Sequence, residues 1–335
     1  MRIISGIQPT GQIHIGNYLG AVKQWINLQE KEETIFFIAD LHALTIPHDS
    51  KKLQQNILET AVAYLVLGVD PQKSIFFVQS AVKEHTELCW VLNTICPVSE
   101  LERMTQYKDK AKQFSAKGKS ASGGKKNINA GLLTYPVLQA ADILLYKTEA
   151  VPVGKDQVQH IELTRTIARK FNQKYGKVFF EPRAILSKSG AKIMSLNNPK
   201  KKMSKSLGPA SYISIFEEPE QIKKKIMSAV TDTSKQIKYN PKTKPGISNL
   251  IVIYSLFAEK SIKEIERKFK NKGYSAFKKS LAKLLIESLE PWRKKREELL
   301  ARRVYVEEAL KLGAKRAKNI AASTMQEVNA KVGLI

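Results

Sequence analysis

Two stretches of the sequence hold the residue types that handle phosphate. The first is Gly6-Ile7-Gln8-Pro9-Thr10-Gly11-Gln12-Ile13-His14-Ile15-Gly16-Asn17. Pro9 and Gly11 suit a tight turn. His14 and Asn17 then lie one helical turn apart, where free N–H groups and the helix dipole would attract phosphate. The glycines do not follow the dinucleotide fingerprint. A structural turn with a surface histidine fits the local spacing at least as well. The second stretch is Lys200-Lys201-Lys202-Met203-Ser204-Lys205-Ser206-Leu207-Gly208, followed by Pro209. Lysines beside small hydroxyl residues suit a flexible phosphate clamp, and equally a solvated basic linker.

Two further stretches could bind a ligand. Asp142 sits inside the apolar run Leu138-Gln139-Ala140-Ala141-Asp142-Ile143-Leu144-Leu145-Tyr146. A carboxylate there is costly to bury without a partner, so it must cap a helix, pair with a cation or meet a ligand. Local logic favours the cap. In Val151-Pro152-Val153-Gly154-Lys155-Asp156-Gln157-Val158-Gln159-His160, Gly154 admits a ligand close to the backbone and Asp156 is placed to cap the next helix. An ordinary strand–turn–helix fits too. His42 follows a strand and either lines the site or is a satisfied rim histidine. Other motifs fail. Gly118-Lys119-Ser120 lacks the P-loop glycine, because position 113 is Gln113. The five histidines have no metal-ligand spacing, so no metal site is expected. No Gly-x-Ser-x-Gly elbow occurs.

The elements that must position these residues change character along the chain. Ile3-Ile4, Ile35 to Ala39 and Ile75 to Val78 read as buried strands, with helices at Gly16–Glu30 and Lys51–Gly68. Continuous apolar strands alternating with helices predict a parallel sheet covered on both faces. The fold class is therefore α/β, Rossmann-like and doubly wound, with ligands at the carboxyl ends of the strands. Asp156 to Tyr175 predicts another helix. Beyond about residue 207 only helices are expected: Glu220–Val230, Ser248–Ala258, Ile262–Lys270 and Ser275–Leu289. Pro291 should break the last, Trp292–Leu312 should resume it, and Gly313 should end that segment before a final helix.

Charge divides the chain in the same way. The 335 residues carry 56 Lys+Arg against 31 Asp+Glu, a net +25. Residues 1–100 are net −3, residues 101–200 net +12 and residues 201–335 net +16. A basic excess of this size favours a polyanionic partner, nucleic acid first, although 45 of the 56 cations are Lys, which also solvates a surface. Residues 108–126, rich in Lys, Gly and Ser, read as a mobile loop. Two cysteines without zinc spacing fit a reducing cytosol. No stretch reaches about 18 apolar residues, so a cytoplasmic protein with no membrane span is expected.

The order of the motifs is more specific than any one of them. His14-Ile15-Gly16-Asn17 resembles the HIGH motif of the class I aminoacyl-tRNA synthetases, and Lys202-Met203-Ser204-Lys205-Ser206 matches their KMSKS motif in full. Within that class the chain resembles the bacterial-type tryptophan–tRNA ligases. The resemblance extends through Ser5–Gly11, Leu101–Gln106, Gly131–Pro136, Ala140–Leu144, Val151–Arg165 and Lys244–Leu250. Asn17 replaces the last histidine of HIGH, and Gln139 stands where many relatives carry Met against the indole.

The resemblance implies two steps, activation of L-tryptophan by ATP with Mg²⁺ and transfer to tRNA(Trp). It implies that His14, Gly16 and Asn17 contact the phosphates while Gln8, Pro9 and Thr10 line the nucleotide. Gly154, Lys155 and Asp156 would hold the adenosine, and Ile193 would meet the adenine through its backbone. Lys202, Met203, Ser204, Lys205 and Ser206 would form the mobile loop, with Lys202, Lys205 and His14 catalytic. Asp142 would accept the indole N–H, with Tyr135, Gln157, His42, Val151 and Val153 around it. Residues 1–200 would be the catalytic domain and 201–208 the loop. Residues 209–335 would form the helical anticodon-binding domain, its last helices packing back on the catalytic part. A homodimer is implied. The rivals are a tyrosine–tRNA ligase, a small-molecule nucleotidyltransferase and a non-catalytic RNA-binding paralogue.

Overall fold

Five short apolar runs supply the sheet: β1 (Arg2–Ile7), β2 (Glu33–Ile38), β3 (Ile75–Val78), β4 (Ala150–Val153) and β5 (Arg183–Leu186). In the computed structural model they pair in parallel in the order β3-β2-β1-β4-β5. The structure describes residues 1–9, 11, 13–117, 129–186, 192–234 and 236–334, without the side chains of 112–117. The chain runs outward from β1 to β3 and then returns to the other side of β1 as β4. That reversal opens a crevice at the carboxyl ends of β1 and β4, the usual place for a ligand in such a sheet.

Alternation along the strands builds two cores. Phe36, Ile38 and Phe76 face one side, where they pack with the helix Ser50–Leu67 and with the helices after residue 218. Ile35, Phe37, Ile75 and Phe77 face the other. There they meet the helices Glu84–Asn93, Ala130–Leu144, Val158–Tyr175 and Arg303–Val332. The helix Ser50–Leu67 shows the local signals in full: Asp49 caps its first turn and Gly68, at φ +111°, ends it in the left-handed region. The expected α/β sheet followed by a helical part is what the chain forms.

Several expectations need correction. Tyr274–Ala301 is one helix that runs through Pro291. Proline in a helix interior costs about 3 kcal/mol, and here tertiary contacts on both sides of it offset that cost. Leu285 and Leu289 are fully buried, Trp292 packs edge-on against Tyr18 at 4.6 Å between ring centres, and Arg296 clasps the Glu59 carboxylate. Gly313 does not end a helix either, because Arg303–Val332 is continuous and the break falls at Arg302. A β-carbon at Gly313 would sit 1.8 Å from the Phe76 carbonyl oxygen, so glycine is needed for the helix to lie on β3. Asp156 does not cap the following helix: a 3-10 turn, Lys155–Gln157, comes first, and Gln157 occupies the cap position. The expected loop over 108–126 is helical as far as Lys117, within Thr105–Lys117, because Tyr107 packs against the second core and holds the turn before it. Residues 118–128 lie outside the described residues.

Gly313→Ala should therefore destabilise the fold by about 2–4 kcal/mol. Gly273→Ala, where nothing lies within 4 Å of the added carbon, should cost much less. Chemical denaturation of the two variants side by side tests this, and equal losses would contradict the close-packing role of Gly313.

Candidate functional site

The residues after the strand ends converge on three adjoining cavities. The first, about 390 Å³, is lined by Gly6, Gln8, His42, Tyr135, Asp142 and Gln157, with Val151, Val153, Gln139 and Lys110 also in its wall. The second, about 530 Å³, lies between the His14 turn and the Lys202–Ser206 loop. The third, about 740 Å³, is lined by Gly16, Gly20, Gly154, Lys155, Asp156 and Lys202 among others. Gln8 is shared by the first two, Gly154 and Val153 by the first and third, and Lys202 by the second and third. Gly6 has no room for a side chain: a β-carbon there would meet the ring of Phe37, which also lines the first cavity, at 2.5 Å.

Asp142 is the most constrained group. It lies inside the helix Ala130–Leu144, not at its end, with 1% exposure. Its compensation is therefore a set of side chains and not a helix cap. Oδ2 pairs with His42 Nε2 at 2.7 Å. Oδ1 accepts from Gln79 Nε2 at 2.6 Å and pairs with His85 Nδ1 at 2.6 Å. Burial alone would raise its pKa, but the charges and hydrogen bonds of His42 and His85 outweigh it and hold the carboxyl at about 2. The group is an anion with roughly four acceptor sites, and three are taken. The fourth belongs to Oδ2, and Asp142 is part of the wall of the first cavity.

Polar contacts run from there along the cavity. The Tyr135 hydroxyl lies 3.0 Å from His160 Nε2, and the Lys110 ammonium sits 4.6 Å over the Tyr135 ring. Burial, then the Lys110 charge, lowers His160 to about 4, so that imidazole is neutral near pH 7. Gln139 Nε2 reaches Gln157 Oε1 at 3.5 Å, and both Gln157 and Gln106 donate to the Asp156 carboxylate.

The second cavity has a different logic. His14 caps the helical stretch that begins at Ile15: its Nδ1 accepts from the Asn17 N–H at 3.2 Å, while Asn17 Oδ1 accepts from the His14 N–H at 3.2 Å. An accepting Nδ1 puts the ring proton on Nε2. Burial, then the charges of Lys205 and Lys202, pulls His14 down to about 4. The cavity is thus offered a neutral N–H, the Asn17 amide and two lysines. The loop opposite is anchored from the helical part. Met203 N–H donates to the Ile193 carbonyl at 2.9 Å, and Asn249 holds Met194 through both its N–H and its carbonyl. An antiparallel bridge joins His14 to Ser214.

The cavity walls thus bring together nearly every residue singled out in the sequence. Pro9 is buried and Ile193 is in the first core, its carbonyl already accepting from Met203; neither lines these cavities. Thr10 lies outside the described residues. The sequence reading missed Gln79, His85, Tyr146, Lys110 and Asn249. Only the need of a buried Asp142 for partners pointed to the first two.

Residues 1–290 match the family described as class I tRNA synthetases for tryptophan and tyrosine (W and Y). The tryptophan–tRNA ligase of Caldanaerobacter subterraneus subsp. tengcongensis is 47% identical over 335 residues, 100% of this chain and 98% of that one. The chain belongs to the tryptophan–tRNA ligases. A crystal structure of tryptophanyl-tRNA synthetase from Campylobacter jejuni, complexed with ADP and tryptophan, superposes with a TM-score of 0.85 at 42% identity. It covers 99% of this chain and 100% of that chain. The Mycoplasma pneumoniae tryptophanyl-tRNA synthetase gives 0.88 at 35% identity, over 99% and 97%. Among the described residues no cluster of three or more His, Cys, Asp or Glu is placed to hold a metal ion, and no helix is long and apolar enough to cross a membrane.

The His14 cap has a pH signature. The ordinary histidine value is 6.5 and the folded value about 4. Between them the unfolded chain binds a proton that the folded chain does not. This residue's contribution to stability is therefore complete above about pH 6.5 and is lost as pH falls toward 4. His14→Asn keeps a capping acceptor that does not titrate, so its melting temperature should fall less steeply over that window. A slope matching the parent protein's would remove His14 as the cause.

Proposed function

We propose that this chain attaches L-tryptophan to tRNA(Trp) in the cytoplasm, through tryptophanyl-adenylate. The observation that carries the reading is the single open acceptor of the buried Asp142 anion in a cavity that adjoins a phosphate-type cavity. In the first step the tryptophan carboxylate attacks the α-phosphate of ATP and pyrophosphate leaves. In the second the 2′-hydroxyl of the terminal tRNA ribose attacks the adenylate carbonyl and AMP leaves. Neither step needs a protein nucleophile. Holding the reactants in line can supply about 7–11 kcal/mol of such a barrier, and fixed donors at the developing charge supply more.

The indole N–H would meet Asp142 Oδ2, with the ring between Gly6, Val151 and Val153. Gln157 and Tyr135 would hold the ammonium group. Gly154, Lys155 and Asp156 would hold the adenosine, Asp156 near the ribose. The His14 Nε2–H, the Asn17 amide, Ser204 and Ser206 would bind the phosphates, and Lys202 and Lys205 would neutralise the departing pyrophosphate. The second cavity is walled by donors and cations without a carboxylate, which suits ATP arriving as its Mg²⁺ complex, the ion held by phosphates and water.

The basic helical part would meet tRNA. Lys238, Lys263, Arg267, Lys270 and Lys272 line one surface cavity there against a single acid, Glu266. Such contacts position the RNA backbone while unstacked bases carry identity. Two copies would pair through the face carrying Trp90, 73% exposed, and Val98, 59% exposed. An indole this open to water is unusual outside an interface.

Pyrophosphate exchange into ATP, run with each amino acid in turn, tests the reaction: exchange is expected with tryptophan alone. Exchange with tyrosine instead, or with no amino acid, would overturn it. Trp90→Glu should shift the sedimentation profile from dimer to monomer; a parent protein that already sediments as a monomer would contradict the assembly.

A further inference from the structure

The wall of the tryptophan cavity does not explain how Asp142 keeps one acceptor open and aimed. Two fully buried side chains behind it do. His85 is 0% exposed and lines none of the cavities described above. Its imidazole is boxed by the rings of Phe37, Phe77 and Tyr146, at centre distances of 5.9, 5.9 and 5.5 Å. Nδ1 faces Asp142 Oδ1 at 2.6 Å and Nε2 faces the Tyr146 hydroxyl at 2.8 Å. A carboxylate only accepts, so Nδ1 must carry a proton, and the Tyr146 hydroxyl, which can donate or accept, engages Nε2 on the far side of the ring. Burial holds the Tyr146 phenol protonated, well above its ordinary range.

The consequence lies on Oδ1. With Gln79 and His85 both donating, that oxygen is saturated. Gln79 is itself fixed, since its carbonyl oxygen accepts from the Leu41 N–H at 3.2 Å. The carboxylate cannot rotate without breaking two short bonds, so its remaining lone pair, on Oδ2 beside His42, is the only acceptor it can show a ligand. We propose that His85, braced at Nε2 by Tyr146, is a positioning residue for amino-acid selection, which makes the enzyme demand an N–H donor on the indole ring.

This rests on the reading of the first cavity as the tryptophan site. If the Tyr146 hydroxyl is removed, Nε2 loses the partner that braces the ring, and His85 can tilt and weaken its bond to Oδ1. Oδ1 is then held less firmly and the carboxylate is less strictly confined to one orientation. Tryptophan still binds, less well, while an analogue without the N–H suffers a smaller relative penalty.

The test compares L-tryptophan with L-3-benzothienylalanine, in which sulfur replaces the indole N–H, by pyrophosphate exchange. The parent enzyme should prefer tryptophan in kcat/KM by about 10- to 100-fold or more. Tyr146→Phe, which deletes one oxygen two bonds away from the substrate's partner, should reduce that preference about five- to tenfold. The change should appear in the KM for tryptophan, with KM for ATP and kcat little altered. His85→Asn places an amide donor near the Nδ1 position and should keep part of the preference. On that background Tyr146→Phe should have no further effect. An unchanged preference in Tyr146→Phe would overturn the relay, as would an equal loss for both substrates, which marks a purely structural role. A parent enzyme that fails to exchange with tryptophan at all would instead bring down the reading of the cavity, and the relay with it.

Discussion

An ionised carboxylate buried to 1% exposure in an apolar helix is the constraint around which the catalytic part is arranged. Desolvating such a charge costs several kcal/mol even after relaxation. It persists only if well-placed donors surround it, and no short segment of chain can supply them. For Asp142 they come from 57, 63 and 100 residues away. His42 and Gln79 each follow the end of a strand, β2 and β3, and His85 opens the next helix. The donors come together only when the strands have paired in register. The anion and the sheet are therefore mutually dependent, and one wall of the cavity is as rigid as the core itself.

The phosphate side is built on the opposite principle. There the fixed groups are neutral or positive and the missing charge must come with the ligand. His14 is neutral because it is buried and faces two lysines, and its neutral form is what lets Nδ1 cap the helix. Lys202 and Lys205 stand on the loop facing His14, in a cavity with no carboxylate in its wall. The loop that carries them is held at its base by Asn249, from the helical part, and by the bridge between Met194 and Lys202. Anything that moves the helical part relative to the sheet thus moves the lysines relative to His14. A coupling of this kind suits an enzyme whose phosphate must be gripped in one step and released in the next.

What the sequence made legible follows the range of the interactions. The His14–Asn17 cap and the Lys202–Ser206 loop are local, so their spacing alone suggested phosphate, and the strand–helix alternation suggested a parallel sheet. Asp142 was legible only as a question, since an apolar run says that a carboxylate needs a partner but not which. Local rules failed where tertiary packing outweighed them. Pro291 and Gly313 are helix breakers by propensity. In the folded chain Trp292 and Arg296 hold the proline-containing helix to its neighbours, while Gly313 exists to let a backbone approach Phe76. Asp156 has the local position of a cap, but its carboxylate is taken by Gln106, fifty residues earlier.

The two halves of the site differ in what they can discriminate. A phosphate cavity lined by lysines and N–H groups recognises charge and tolerates variation in position, since long side chains can adjust. The amino-acid cavity would, on the proposed reading, recognise one N–H by one lone pair, and an unmet buried acceptor costs on the order of 1–3 kcal/mol, more when charged. Selectivity of that kind requires the acceptor to stay still. It is consistent that the proposed phosphate contacts fall to long side chains on a loop, whereas the groups behind Asp142 are packed among Phe37, Phe77 and Tyr146, where no side chain can turn without opening a void.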